Sequence, residues 1–269
     1  MWIRYTNSKE EELGVAVISV GNLVVGGSGK TPVVTALAAH FNQTAVVLRG
    51  YGRKSQGLII VSDAKNILCD VNSSGDEAMI YAKKLKNTVV IVSEDRKKGI
   101  LKAKSLGAKV VFLDDAYSKH TIKKLDFLIN VETDNRHCLP SGPYREQLYN
   151  SKKVLQLQDK IDFKRSVSFL NVQKKVVLVT SIARPNRLDS YLTDLTSDVV
   201  EKVYFPDHHY FEKEILEKIL KSSGADALLM TYKDYVKVES FNLPVTLMDL
   251  DVVLSSYILQ SVENYMKNY

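Results

Sequence analysis

The chain has 269 residues, 45% of them hydrophobic and 25% charged, with a formal net charge of +6. These are the proportions of a folded globular protein long enough to bury one large core or two modest ones, and they exclude a disordered, collagen-like or disulfide-stapled chain. The positive balance favours anionic partners, nucleotides and lipid headgroups among them. The Lys-rich stretches at 83–86 and 97–98 fall inside helical patterns, so they read as solvated helix faces and not as a nucleic-acid surface.

In chain order, Met1 to Leu13 is polar and acidic, without an apolar run of signal-peptide or membrane-spanning length. Val15–Val20 is an apolar, β-branched run read as a strand, followed by a Gly-rich loop and a helix opened by Pro32. Val46–Leu48 and Leu58–Val61 read as strands around the turn-rich segment 49–57, Asp76–Leu85 as a helix, and Val89–Val92 as a buried strand. Helical spacing returns over Arg96–Leu106 and Gly107 closes it. Val110–Leu113 is a strand ending in Asp114-Asp115. Leu139–Phe163, with Pro140, Gly142 and Pro143, reads as a connector. Beyond it come strands at 176–180, 200–205, 227–231 and 245–248 and a helix at 213–221. Repeated β–α alternation predicts an α/β protein: a P-loop NTPase-type, mostly parallel sheet flanked by helices over residues 1–160, and a second, smaller α/β domain over 161–269, with a soft boundary between 150 and 170. Cys69 and Cys138 form no CxxC pair and have no zinc-spaced histidine, which suits a reducing compartment.

Two segments carry chemistry. Gly26, Gly27, Ser28, Gly29, Lys30 and Thr31 lie where a strand hands over to a helix. There backbone N–H groups and the helix N-terminus can cradle a polyphosphate, Lys30 can reach its outer phosphates, and the Thr31 hydroxyl can ligate Mg²⁺. Val24 stands where the strict motif has its first glycine, so the Gly26-Gly27 pair is expected to supply the turn; a Gly-rich loop that only closes a βα turn is the plainer alternative. Asp114 and Asp115, at the carboxyl end of a buried parallel strand, are placed to hold Mg²⁺ directly or through water, although one of them could instead cap a helix.

The chain resembles the tetraacyldisaccharide 4'-kinase family over most of its length. The resemblance rests on Ser19-Val20-Gly21-Asn22-Leu23 leading into the phosphate loop, then Leu48 to Lys54, Gly75-Asp76-Glu77, Ser93 to Arg96, Leu113-Asp114-Asp115, Leu139 to Glu146, Ile182 to Pro185 and Phe205-Pro206-Asp207-His208-His209, in the family's order. It implies an ATP-dependent kinase acting on a lipid A disaccharide precursor, with Mg²⁺, at the cytoplasmic face of the inner membrane as a peripheral protein and with no obligate protein partner. It further implies that Asp76 and His208 form a catalytic pair alongside Lys30, with the carboxylate orienting a ring that accepts the sugar proton. Glu77 would join Thr31, Asp114 and Asp115 near the metal, and Arg49, Tyr51, Arg53, Arg145, Glu146, His120 and His209 would line the acceptor site. For Arg49 and Arg53 a solvated loop is the competing reading.

Three departures stand out. The family's Gly-Phe-Gln-His after the two aspartates is Ala116-Tyr117-Ser118-Lys119 here, with His120 next; its Thr-Glu-Lys-Asp is Thr231-Tyr232-Lys233-Asp234; and the amphipathic helix that family members commonly carry at the front is not evident. These keep open a divergent kinase acting on a small soluble acceptor. A nucleotide-binding switch or scaffold is the rival from another class, which would explain the phosphate loop but has no use for Asp76 together with the 205–209 segment.

Overall fold

The structure, a computed structural model, describes residues 9–148 and 152–269. The reading of the first eight residues, and of the connector at 149–151, therefore lies outside the described residues. The first half builds β1 (Ala16–Gly21), α1 (Lys30–His40), β2 (Thr44–Leu48), β3 (Ile59–Asp63), α2 (Val71–Ser74), α3 (Asp76–Lys84), β4 (Val89–Val92), α4 (Arg96–Ser105), β5 (Val110–Asp114), β6 (Leu125–Ile129) and β7 (Val154–Leu157). Their order in the sheet is β3-β4-β2-β5-β1-β6-β7, all parallel except the edge strand β3, which runs antiparallel to β4. Strands in the middle of such a sheet are buried on both faces, which is why β1, β2, β4 and β5 read as continuous apolar runs. Alternate residues still divide between two cores. Ala16, Ile18 and Val20 pack with α1 and α3, whereas Val15, Val17, Val47 and Leu113 pack with α4. Gly99 allows α4 to lie close, since a Cβ there would sit 2.6 Å from Val47 Cγ1.

The second half builds β8 (Phe163–Leu170), β9 (Lys175–Thr180), α5 (Asp189–Leu192), β10 (Asp198–Tyr204), α6 (Lys213–Ser223), β11 (Ala227–Thr231), α7 (Tyr232–Val238), β12 (Val245–Leu254) and α8 (Ser256–Met266). The sheet order is β10-β9-β11-β12-β8, parallel but for β8 against β12. The fold is therefore two mostly parallel α/β sheets flanked by helices, as the β–α alternation predicts.

β12 is far longer than the 245–248 run suggests. Its first four residues pair with β11, and Leu247 to Leu254 pair with β8. The lower part of this ribbon lies against α1 and α3, where Lys84 pairs with Asp249 and Asp251, so two antiparallel strands tie the lobes together. The last helix leaves the sheet it follows: Ile258 and Val262 of α8 join the first lobe's core. The 161–269 span thus supplies the second sheet and also one helix to the first lobe. β7 arises inside the segment that the sequence suggests is a connector, and β8 starts at its end, within the soft boundary at 150–170. In β8 the inward positions are Phe163, Arg165, Val167 and Phe169, and Arg165 interrupts the apolar alternation that would mark a strand.

Candidate active site

The phosphate loop follows the carboxyl end of β1, and β5 beside it ends in the two aspartates; the Asp115 N–H donates to Val20 O at 3.0 Å and fixes them next to each other. Gly29 is the N-terminal cap of α1 at φ +77°, a left-handed conformation that disfavours any side chain, and a Cβ there would press on the Arg165 guanidinium at 2.8 Å. The segment 139–146 closes on the loop's entry: Val25 N–H donates to Pro143 O at 2.8 Å and Arg145 N–H to Leu23 O at 2.9 Å. Asn22 gathers both cations, its Oδ1 accepting from Lys30 Nζ and from Arg145, each at 3.1 Å. Lys30 is also 3.6 Å from Asp115, which pairs with Arg145 as well. Burial would raise Asp115, but Lys30 and Arg145 outweigh it and hold this carboxyl below its ordinary range. The second lobe adds Arg165, donating to Ser28 O at 3.0 Å, and Arg187, donating to Gly27 O.

Asp114 is buried. Its Oδ2 accepts from Tyr81 Oη at 2.6 Å and from Thr31 Oγ1 at 3.3 Å, while its Oδ1 accepts from no group among the described residues. Burial pushes Asp114 up, with Lys30 and Tyr81 opposing. Tyr81 lies on α3, one helical turn beyond Glu77. Burial and then the charge of Asp114 push Glu77 up to about 7. Arg96 is buried behind the two aspartates, and burial lowers it to about 10.

Asp76, adjacent to Glu77 at the first turn of α3, meets the second lobe. His208 Nδ1 lies 2.9 Å from Asp76 Oδ2. Burial would raise Asp76, but the His208 hydrogen bond and the charges of Lys233, His208 and Lys237 bring it below its ordinary range. His208 sits at φ +60°, with its N–H donating to Ser181 O at 3.1 Å and the Tyr51 ring 4.8 Å from its own. The space enclosed by Tyr51, Gly52, Asp76, His208 and Tyr210 amounts to about 10 Å³, room for one water. A cavity of about 670 Å³ between α1 and β12 contains none of the expected site residues.

The expected residues therefore divide. Lys30, Thr31, Asp114, Asp115, Arg145, Glu77, Asp76 and His208 form one continuous line from phosphate loop to imidazole, with Tyr51 at its far end, and Glu146 follows Arg145 on the 139–146 segment, its carboxyl raised by burial. Arg53 braces its own loop, donating to Gly57 O and Ser55 Oγ and pairing with Glu94, which leaves its guanidinium little to offer an acceptor. Arg49 is exposed. His209 stacks on Phe205 at 4.7 Å and meets Phe211 edge-on, as a packing residue. His120 is buried edge-on to Tyr117, where burial and then Lys152 and Lys124 lower it to about 4; this is an interior setting and not the acceptor-lining one expected of it. Asn22, Tyr81, Arg96, Arg165 and Lys233 join the site without having been singled out. Asn22, Arg96 and Lys233 carry a signal in the motif segments that contain them; Tyr81 and Arg165 carry none.

Comparison with known proteins decides the family. The model of the family described as tetraacyldisaccharide-1-P 4'-kinase matches residues 2–158 and 155–267. The chain belongs to this family. A tetraacyldisaccharide 4'-kinase of Helicobacter pylori is 40% identical over 99% of this chain and 85% of its own length. One from Campylobacter jejuni is 44% identical over 94% and 82%. Among solved structures, LpxK from Aquifex aeolicus in complex with ATP superposes with a TM-score of 0.76 at 26% identity, covering 96% of this chain and 90% of that one.

Proposed function

We infer that the chain is a kinase transferring the γ-phosphoryl group of ATP to the 4'-hydroxyl of a tetraacyldisaccharide 1-phosphate in lipid A biosynthesis. The observation that carries the mechanism is the 2.9 Å contact between Asp76 and His208, made across the two lobes by a helix whose next residues, Glu77 and Tyr81, face the phosphate-loop end. Phosphoryl transfer asks a protein for position and charge more than for covalent chemistry. Lys30 and the loop amides hold the triphosphate, and Arg145, bound to Asp115 in this state, is within reach of the same phosphates. The Asp76–His208 pair takes the hydroxyl proton, a role that contributes about 10² to 10⁴ in rate. Closure of the second lobe over the loop, through Arg165 and Arg187, keeps water from competing as acceptor.

Mg²⁺ fits the oxygens present. Asp114 Oδ1 is a buried carboxylate oxygen accepting from no described group, and the Thr31 hydroxyl lies beside the same carboxylate; a hard divalent cation takes such ligands. Thr31 and Asp114 would hold it, with Asp115 and Glu77 next to them, and when bound it neutralises charge on the β- and γ-phosphates. For location, we propose peripheral attachment at the cytoplasmic face of the inner membrane. No described helix is long and apolar enough to cross a bilayer, the acceptor carries four acyl chains, and the net charge of +6 suits an anionic surface.

The test is transfer of label from [γ-³²P]ATP to tetraacyldisaccharide 1-phosphate in detergent micelles with Mg²⁺. The chain should form labelled lipid, and Lys30→Ala and His208→Ala should each lose it by about a hundredfold or more. Nucleotide binding with no lipid product would refute the assignment.

A further inference from the structure

The phosphate loop is gripped from its outer side by two arginines with different anchors. Arg187 donates to Gly27 O, and Arg165 donates to Ser28 O at 3.0 Å. Arg187 lies on the Pro185–Leu188 turn after β9, and Leu188 of that turn is buried in the second lobe's core. Arg165 lies on β8, two residues beyond Phe163, which is buried in the first lobe's core. Its guanidinium stands 5.1 Å from the Phe163 ring and pairs with Asp159 at 2.6 Å. Arg184 joins them, close enough that a Cβ at Gly26 would sit 3.4 Å from its guanidinium. Among the described residues only Asp159 pairs a carboxylate with any of the three, and burial and then the charges of Arg184 and Arg165 lower Arg187.

The two carbonyls decide where the loop's amides point. The 27–28 and 28–29 peptide links are trans, and in a planar trans peptide the C=O and the N–H point in opposite directions. Holding Gly27 O outward therefore turns the Ser28 N–H inward, and holding Ser28 O outward does the same for the Gly29 N–H. Neither N–H donates to a carbonyl among the described residues, which leaves both for an anion at the start of α1. Each plane has a glycine on one side, Gly27 or Gly29, so turning it over meets little steric resistance, and a flipped plane would set a carbonyl oxygen against the triphosphate. We propose that Arg187 and Arg165 are positioning residues that fix these two planes, so that the phosphate cradle is completed from outside itself: one plane by the second lobe, the other by the ribbon that joins the lobes. Nucleotide affinity thereby depends, through Arg187, on the second lobe's approach to the loop. The proposal rests on the kinase reading above, in which this loop holds the phosphates.

The test reads the carbonyls and the affinity together. In ¹³C,¹⁵N-labelled protein without nucleotide, Arg187→Ala should move the Gly27 carbonyl carbon upfield and Arg165→Ala that of Ser28, each leaving the other nearly in place, because the carbon loses the donor that polarised it. By calorimetry, the Kd for Mg²⁺·ADP should rise about tenfold in each variant, the contribution of one charge-assisted hydrogen bond. Arg187→Lys and Arg165→Lys, which keep a donor, should recover part of both effects. In the wild type, adding ADP should move neither carbonyl upfield. Carbonyl signals that ignore the substitutions overturn the proposal, and so does an unchanged ADP affinity. An upfield shift of the wild-type carbonyls on ADP binding also overturns it, since the guanidiniums would then be leaving the loop to bind phosphate themselves. No lipid acceptor is present in either measurement, so failure here leaves the acceptor assignment standing, and failure of lipid phosphorylation leaves these results standing. The dispersion of the amide signals reports whether each variant is folded.

Discussion

Glu77→Gln separates what the site needs from what the fold prefers. Glu77 lies between Asp76, its neighbour on α3, and Asp114 across the sheet end, and burial with the charge of Asp114 raises it from 4.5 to about 7. Between those two values the ligand-free folded protein keeps a proton that the unfolded chain releases. Stability therefore falls as pH rises through that window, and the loss is complete above about pH 7. At about 1.4 kcal/mol per pH unit the gap amounts to about 3 kcal/mol, and because Asp114 shares the repulsion we expect about 2 kcal/mol from Glu77 alone. Glutamine keeps the shape and has no charge to bury. In thermal melts with chelator present, the variant should match the wild type near pH 5 and exceed it at pH 8 by about 4–8 °C, at about 2–4 °C per kcal/mol for a chain of this size. In the labelled-lipid assay the same variant should be slower, because the carboxylate that destabilises the empty site is the one facing metal and phosphates, a trade of stability against activity. A melting difference equal at both pH values, or a variant less stable at pH 8, would refute the reasoning.

Two further substitutions probe the supports behind the site. Asp234→Ala removes the acceptor of Thr180 Oγ1 and Ser181 Oγ, each at 2.6 Å, and of Thr231 Oγ1 at 2.8 Å, and strands buried Lys237 at 3.0 Å; urea unfolding should show a loss of about 3–5 kcal/mol, with kcat reduced as Lys233 and His208 lose their anchorage. Gly99→Ala should improve helix propensity by about 1 kcal/mol yet lower the melting temperature, since its Cβ would meet Val47 Cγ1 at 2.6 Å and overpacking costs about 1–3 kcal/mol; KM for ATP should not change.

The first sheet was legible because its physics is local. A parallel strand covered on both faces must be apolar throughout, so β1, β2, β4 and β5 announce themselves, and the phosphate loop follows from the strand, glycines and helix start around it. The interlobe ribbon was not legible. β8 carries Arg165 at an inward position because its task there is to reach Ser28 O in the other lobe, so a tertiary contact overrode the alternation that would have marked the strand. The extension of β12 past Met248 carries Asp249 and Asp251 for the same kind of reason, pairing with Lys84 of α3.

The site was legible to the extent that its residues sit in contiguous motifs. Asp76 and His208 are 132 positions apart, yet each lies in a short segment with its own family likeness, and the structure brings them to 2.9 Å. Lys233 lies in such a segment too, beside the altered neighbour Tyr232. A lysine in the first turn of a helix is by default a solvated charge, and no pattern of spacing tells which lysine will face an imidazole in another element. What singles out Lys233 is three-dimensional: a capped turn held by a buried aspartate, three carboxylates around one ammonium, and a ring nitrogen at 3.3 Å.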